Sequence, residues 1–82
     1  MTTDNLWQRM RRKPFKPFRL HLSSGEIYDI RHPEMMLLSR NSITIAIYDE
    51  GDEPGDVLPA REVFVSPLHV TSAEDIPAET TA

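Results

Sequence analysis

Pro14-Phe15-Lys16-Pro17-Phe18-Arg19-Leu20-His21-Leu22-Ser23-Ser24-Gly25-Glu26-Ile27-Tyr28-Asp29-Ile30-Arg31-His32-Pro33-Glu34 decides the fold, because it is a compact hairpin held between prolines. Phe18, Leu20 and Leu22 alternate with Arg19, His21 and Ser23, the period of a strand with one buried face. Ser23-Ser24-Gly25 supplies the turn, with Gly25 free to take positive φ. A three-residue loop sets Leu22 opposite Glu26, Leu20 opposite Tyr28, Phe18 opposite Ile30 and Arg19 opposite Asp29. A two-residue loop would slip the pairing by one and split the apolar set between the faces, so the longer loop is expected.

Upstream, Thr3 or Asp4 is expected to cap a short helix over residues 1–13 carrying Leu6, Trp7 and Met10 as a narrow apolar stripe. Pro14 ends it and makes Lys13 the expected last helical position. Downstream, Met35–Leu38 and Ile43–Tyr48 flank Ser39-Arg40-Asn41-Ser42, a second hairpin in which Asn41 tolerates a left-handed backbone. Pairing Ser39 with Ser42 puts Met36 and Leu38 on one face with Ile45 and Ile43. Met35 and Leu37 then fall on the other, beside Ala46 and Thr44. That second face is too apolar to be left wholly in water, so a closed barrel or a partner must cover it. Residues 49–60 form an acidic loop. Arg61–Pro67 reads as a strand covered on both sides, by Val63 and Val65 on one and Phe64 on the other. Leu68–Thr71 is a short last strand, and residues 73–82 read as a disordered tail.

The expected architecture is mostly β: a small, strongly bent antiparallel sheet or an SH3-like or Sm-like barrel over residues 14–72, preceded by the helix. The hairpin motif Pro14–Leu22, then Gly25, Tyr28–Glu34 and Pro67-Leu68-His69-Val70, resembles a group of small uncharacterised bacterial proteins over residues 14–72, a resemblance that implies no activity. The likeness to Sm-like barrels lies in element order; the loop-borne Asn and Arg-Gly signatures of RNA-binding Sm proteins are not evident.

Eighty-two residues with 39% hydrophobic content make one domain near the size where burial is marginal. No cysteine is present, which removes disulfides and thiolate zinc sites and fits a reducing cytoplasm. No run approaches a membrane span, and Met1-Thr2-Thr3-Asp4 is no secretion signal, so a cytoplasmic protein without membrane partners is expected. The net charge of −4 conceals an asymmetry: residues 1–32 carry +4 and residues 33–82 carry −8. Such polarity steers an anionic partner to one end or pairs two copies head to tail.

Catalytic chemistry finds no foothold: no Ser-His-Asp spacing, phosphate loop or paired buried carboxylates can be pointed to, and neither enzyme activity nor a cofactor is expected. His21, His32 and His69 lack metal-ligand spacing, His32 being read as a structural histidine bonded to a backbone carbonyl. The acidic loop lacks the glycine and distal glutamate of an EF-hand. Two functional readings remain. In the first, the chain is a non-catalytic protein-interaction or self-assembly module whose partner-binding residues are Met35, Leu37 and Phe64. The alternative is a nucleic-acid-binding module using Trp7, Arg9, Arg11, Arg12, Lys13 and Lys16, where cations would neutralise phosphates and the indole would stack a base.

Overall fold

The computed structural model describes residues 2–77. A helix α1 (Thr3–Met10) precedes six strands: β1 (Phe18–Leu22), β2 (Ile27–Ile30), β3 (Met36–Leu38), β4 (Ile43–Ile47), β5 (Arg61–Val65) and β6 (Val70–Asp75). They form two antiparallel three-stranded sheets, ordered β2-β1-β6 and β3-β4-β5. No ladder among the described residues joins the two, so the fold is a pair of small sheets and not a closed barrel.

The first hairpin has the register the sequence dictates, with Phe18 opposite Ile30, Arg19 opposite Asp29 and Leu20 opposite Tyr28. The Leu22 amide donates to the Glu26 carbonyl at 2.9 Å, and Gly25 sits at φ 94°. The second hairpin likewise pairs Met36 with Ile45 and Leu38 with Ile43. Its turn differs from expectation: no described residue other than glycine has positive φ, Asn41 included. The turn is closed instead by the Ser39 amide on the Ser42 carbonyl at 2.9 Å and by the two serine hydroxyls 2.6 Å apart.

Each crossing between sheets is a proline-led single turn of 3-10 helix, Pro33–Met35 after β2 and Pro67–His69 after β5. A proline at the first position costs no hydrogen bond there, since that amide has no partner in such a turn anyway. At the second crossing the Ser66 hydroxyl accepts from the Leu68 amide at 3.2 Å. The sheets bury one shared core of Phe18, Leu20, Leu22 and Ile30, Met36, Ile43 and Ile45, and Val70, with Leu6 of the helix completing it. Each of the strand residues among these lies on the inward side of the alternation, which is why β1 reads buried, half-buried, buried along its length.

Several boundaries depart from the sequence reading: the last strand begins at Val70 and not at Leu68, because Leu68 and His69 belong to the second 3-10 turn, and β4 and β5 stop at Ile47 and Val65. The cap of α1 is Thr2, whose hydroxyl accepts from the Asn5 amide at 3.3 Å, and the helix stops at Met10 with Arg11 as its C-cap. Pro14 constrains only the residue before it; the earlier stop accompanies Arg12, which turns its guanidinium to the Lys16 carbonyl and to Asp75. Strand β6 runs through Asp75, three residues into the segment expected to be a disordered tail, and pairs Phe18 with Asp75 and Arg19 with Glu74. Residues 78–82 of that tail lie outside the described residues. A bulge between His21 and Leu22 leaves Thr71 outside the ladder, its hydroxyl donating to the His21 carbonyl at 3.0 Å.

Candidate functional site: two outer sheet faces of opposite character

The outer face of the β2-β1-β6 sheet is laced by charge. Arg19 reaches Asp29 through Nε at 2.7 Å and Nη2 at 3.2 Å, Arg31 adds a longer contact to the same carboxylate at 3.5 Å, and His21 Nε2 lies 2.7 Å from Glu74. The hydrogen bond from Arg19 holds the Asp29 carboxyl below the ordinary carboxylate range, and the same bond raises the Arg19 guanidinium. On the core side of the same hairpin, where Tyr28 stands opposite buried Leu20, its hydroxyl donates to Glu26 at 2.7 Å, which pushes the phenol pKa upward. The charged groups of the outer face are largely satisfied by one another.

The outer face of the β3-β4-β5 sheet is different. Register places Leu37 opposite Thr44 and Thr44 opposite Phe64, so the three side chains form one row across all three strands. Leu37 is 72% exposed and Phe64 is 75% exposed, while Thr44 between them is half-buried. Strand β5 is therefore covered on one side only, contrary to the expectation of two: Val63 and Val65 pack on the core and Phe64 stands in solvent. Met35 does not join the row. It ends the first 3-10 turn, where the short helical geometry rotates its side chain off the alternation of β3 and packs it against the core. Phe64 also lines a groove of about 380 Å³ between β5 and the β1–β2 turn, together with Leu22, Ser24 and His69.

The six residues of the nucleic-acid reading are divided among three tasks. Arg9 and Arg12 both bind Asp75, Arg9 also donates to the Ala73 carbonyl at 3.1 Å, and its guanidinium lies 5.8 Å from the Phe18 ring centre. They fasten the end of β6 to the helix. Arg12 and, secondarily, Arg9 hold the Asp75 carboxyl below its ordinary range. Trp7, 48% exposed, is stacked by Arg11, whose guanidinium is 5.7 Å from the ring centre. Lys13 and Lys16 are exposed and form no ion pair among the described residues. The role of Asp75 has no signal in the sequence: Val70 and Ala73, three residues apart, are out of step with a strand's period of two, and only the bulge at Thr71 sets both opposite the core residues Leu22 and Leu20.

The three histidines do not converge. His21 faces Glu74, His69 Nδ1 is 3.3 Å from the Ser23 hydroxyl, and His32 caps the first 3-10 turn without a side-chain hydrogen bond. The expected ring-to-carbonyl bond of His32 is not formed; what holds the turn is the Met35 amide donating to the His32 carbonyl at 3.0 Å. No group of three or more candidate metal-ligating side chains occurs among the described residues. The acidic loop turns at Gly51 and Gly55, both at positive φ, and presents Asp49, Glu50, Asp52, Glu53 and Asp56 to solvent. No described helix is long and apolar enough to cross a membrane. No family model matches the chain, and neither a curated protein nor a solved structure matches it.

Proposed function

We propose that this chain is a non-catalytic protein-interaction module that assembles with a second copy of itself through the outer face of the β3-β4-β5 sheet. The observation that supports the reading is the Leu37–Thr44–Phe64 row: two large apolar side chains held in solvent on a rigid strand framework, with no charged group in the row. Isolated exposed apolar residues are ordinary, but two aligned across a sheet form a surface that gains by leaving water. An apolar row of this kind is complementary to its own image under a two-fold axis, the arrangement of most homodimers. A chain of this size with a nine-residue core and no disulfide also gains stability by burying more surface on assembly.

The nucleic-acid reading is less well supported. Two of its five cations are committed to Asp75, and its aromatic is already stacked by Arg11. Light scattering and affinity capture with the wild type and with Phe64→Glu test the choice. At high salt, where contacts between charges are screened, the proposal expects a particle at a multiple of 9.4 kDa that is lost in the variant. An unchanged mass and unchanged partners in a folded Phe64→Glu variant at that salt would overturn it.

A further inference from the structure

A second surface lies where α1 meets the first proline segment. Met10, Phe15 and Pro33 form the apolar lining of a groove of about 720 Å³ whose remaining wall is Arg11, Arg12 and Lys13. Lys16 and Arg31 line the adjoining groove, which shares Phe15. Arg12 is neutralised by Asp75, but Arg11 and Lys13 are exposed and make no ion pair among the described residues. The chain also carries a complement to this surface. Asp49, Glu50, Asp52, Glu53 and Asp56 are all exposed, and none forms an ion pair among the described residues. Directly after them come Val57, 46% exposed, and Leu58, 89% exposed.

We infer that the groove lined by Met10, Arg11, Lys13 and Phe15 receives the acidic loop, residues 49–58, of a second copy. The match is of two kinds. The uncompensated carboxylates meet uncompensated guanidinium and ammonium groups, and the aliphatic end of the loop meets an apolar lining. Charge complementarity of this sort sets orientation and encounter rate more than affinity. A nucleic acid would meet the same cations, but it would bring phosphates toward a chain of net charge −4 and would leave the loop's carboxylates without partners. The contact is heterologous, loop to groove, and therefore links copies head to tail. It does not involve the Leu37–Phe64 face and stands or falls separately from it.

The test is made on the full chain carrying Phe64→Glu, so that the sheet-face contact is absent. To this are added either Arg11→Glu with Lys13→Glu, or Asp52→Lys with Glu53→Lys; the second pair lies in an exposed loop whose change leaves the core untouched. Light scattering is recorded near 20 mM and near 500 mM salt, between which the screening length falls from above about 10 Å to below about 8 Å. The Phe64→Glu parent should exceed the single-chain mass at low salt and return to it at high salt. Each swapped protein should be a single chain in both. Their equimolar mixture should regain the low-salt association, because the intact acidic loop of the groove variant then meets the intact groove of the loop variant, and a lysine loop meets a glutamate groove. A mixture that stays at the single-chain mass, a parent that is a single chain at low salt, swaps that change nothing, or a low-salt particle whose ultraviolet spectrum shows nucleic acid would each overturn the inference.

Discussion

Arg12 holds Asp75 through two guanidinium contacts, Nη2 to Oδ1 at 2.9 Å and Nη1 to Oδ2 at 3.2 Å, across 63 positions of sequence. With Arg9 on the same carboxylate, this joins the helix end to the last strand. The Ile76 amide, which donates to the Pro17 carbonyl at 3.0 Å, lies just beyond the clamp. Asp75→Asn should therefore speed hydrogen exchange at Ile76 and leave exchange in β4 unchanged, as NMR would show. Equal acceleration in both would mean the clamp acts on the whole fold and not on the strand end.

The same carboxylates set the acid response. Asp75 and Asp29 are both held below the ordinary range, chiefly by hydrogen bonds from Arg12 and Arg19 respectively. A depressed carboxyl stabilises the fold fully above its unfolded value, about 3.9 for aspartate, and the contribution fades as pH falls through the lower folded value. Denaturant titrations should find the Asp29→Asn, Asp75→Asn double variant weaker than wild type at neutral pH, with the gap closing as pH drops below about 4. A gap that widened in acid would contradict this assignment.

Leu6 and Trp7 are sequence neighbours with opposite surroundings, the first fully buried and the second about half exposed. Leu6→Ala should cost about 2–5 kcal/mol, the usual toll of a lost core leucine. Trp7→Ala should cost less than that, since part of the ring is already in water. Urea unfolding of the two variants checks the order, and a reversal would mean that the helix docks on its other side.

Gly25→Ala isolates backbone strain. Nothing lies within 4 Å of where its Cβ would stand, and the residue sits at φ 94°. The cost should be about 1–2 kcal/mol from conformation alone. A neutral result would show that the turn relaxes out of the left-handed region.

Much of this fold is legible in the sequence because β registers are locked by alternation. A slip of one residue in β1 would turn Phe18, Leu20 and Leu22 outward together, so the Phe18–Ile30 and Met36–Ile45 pairings follow from the sequence alone. What could not be read were features set by groups far apart in sequence. Asp75 looked like part of a polar tail until β1 supplied a pairing edge and Arg9 and Arg12 supplied charge. Alternation carried back from β3 points Met35 to the outer face, but Met35 belongs to a 3-10 turn, where that period does not hold. Alternation sets Leu37 and Phe64 each on the side of its strand away from the core, but only the strand order β3-β4-β5 shows that they share one face with Thr44 between them, and that Phe64 stands in solvent.

The most direct test is an NMR dilution series on the wild type at moderate salt, following Leu37, Thr44 and Phe64 against Leu20 of the core and Lys13 beside the groove. If the sheet face is the assembly surface, signals of the first three should shift together and saturate as concentration rises, while Leu20 stays fixed. Phe64→Glu should abolish those shifts without disturbing Leu20. Shifts absent from that row up to about 1 mM, a concentration at which binding worth only about 4 kcal/mol would register, would contradict the account.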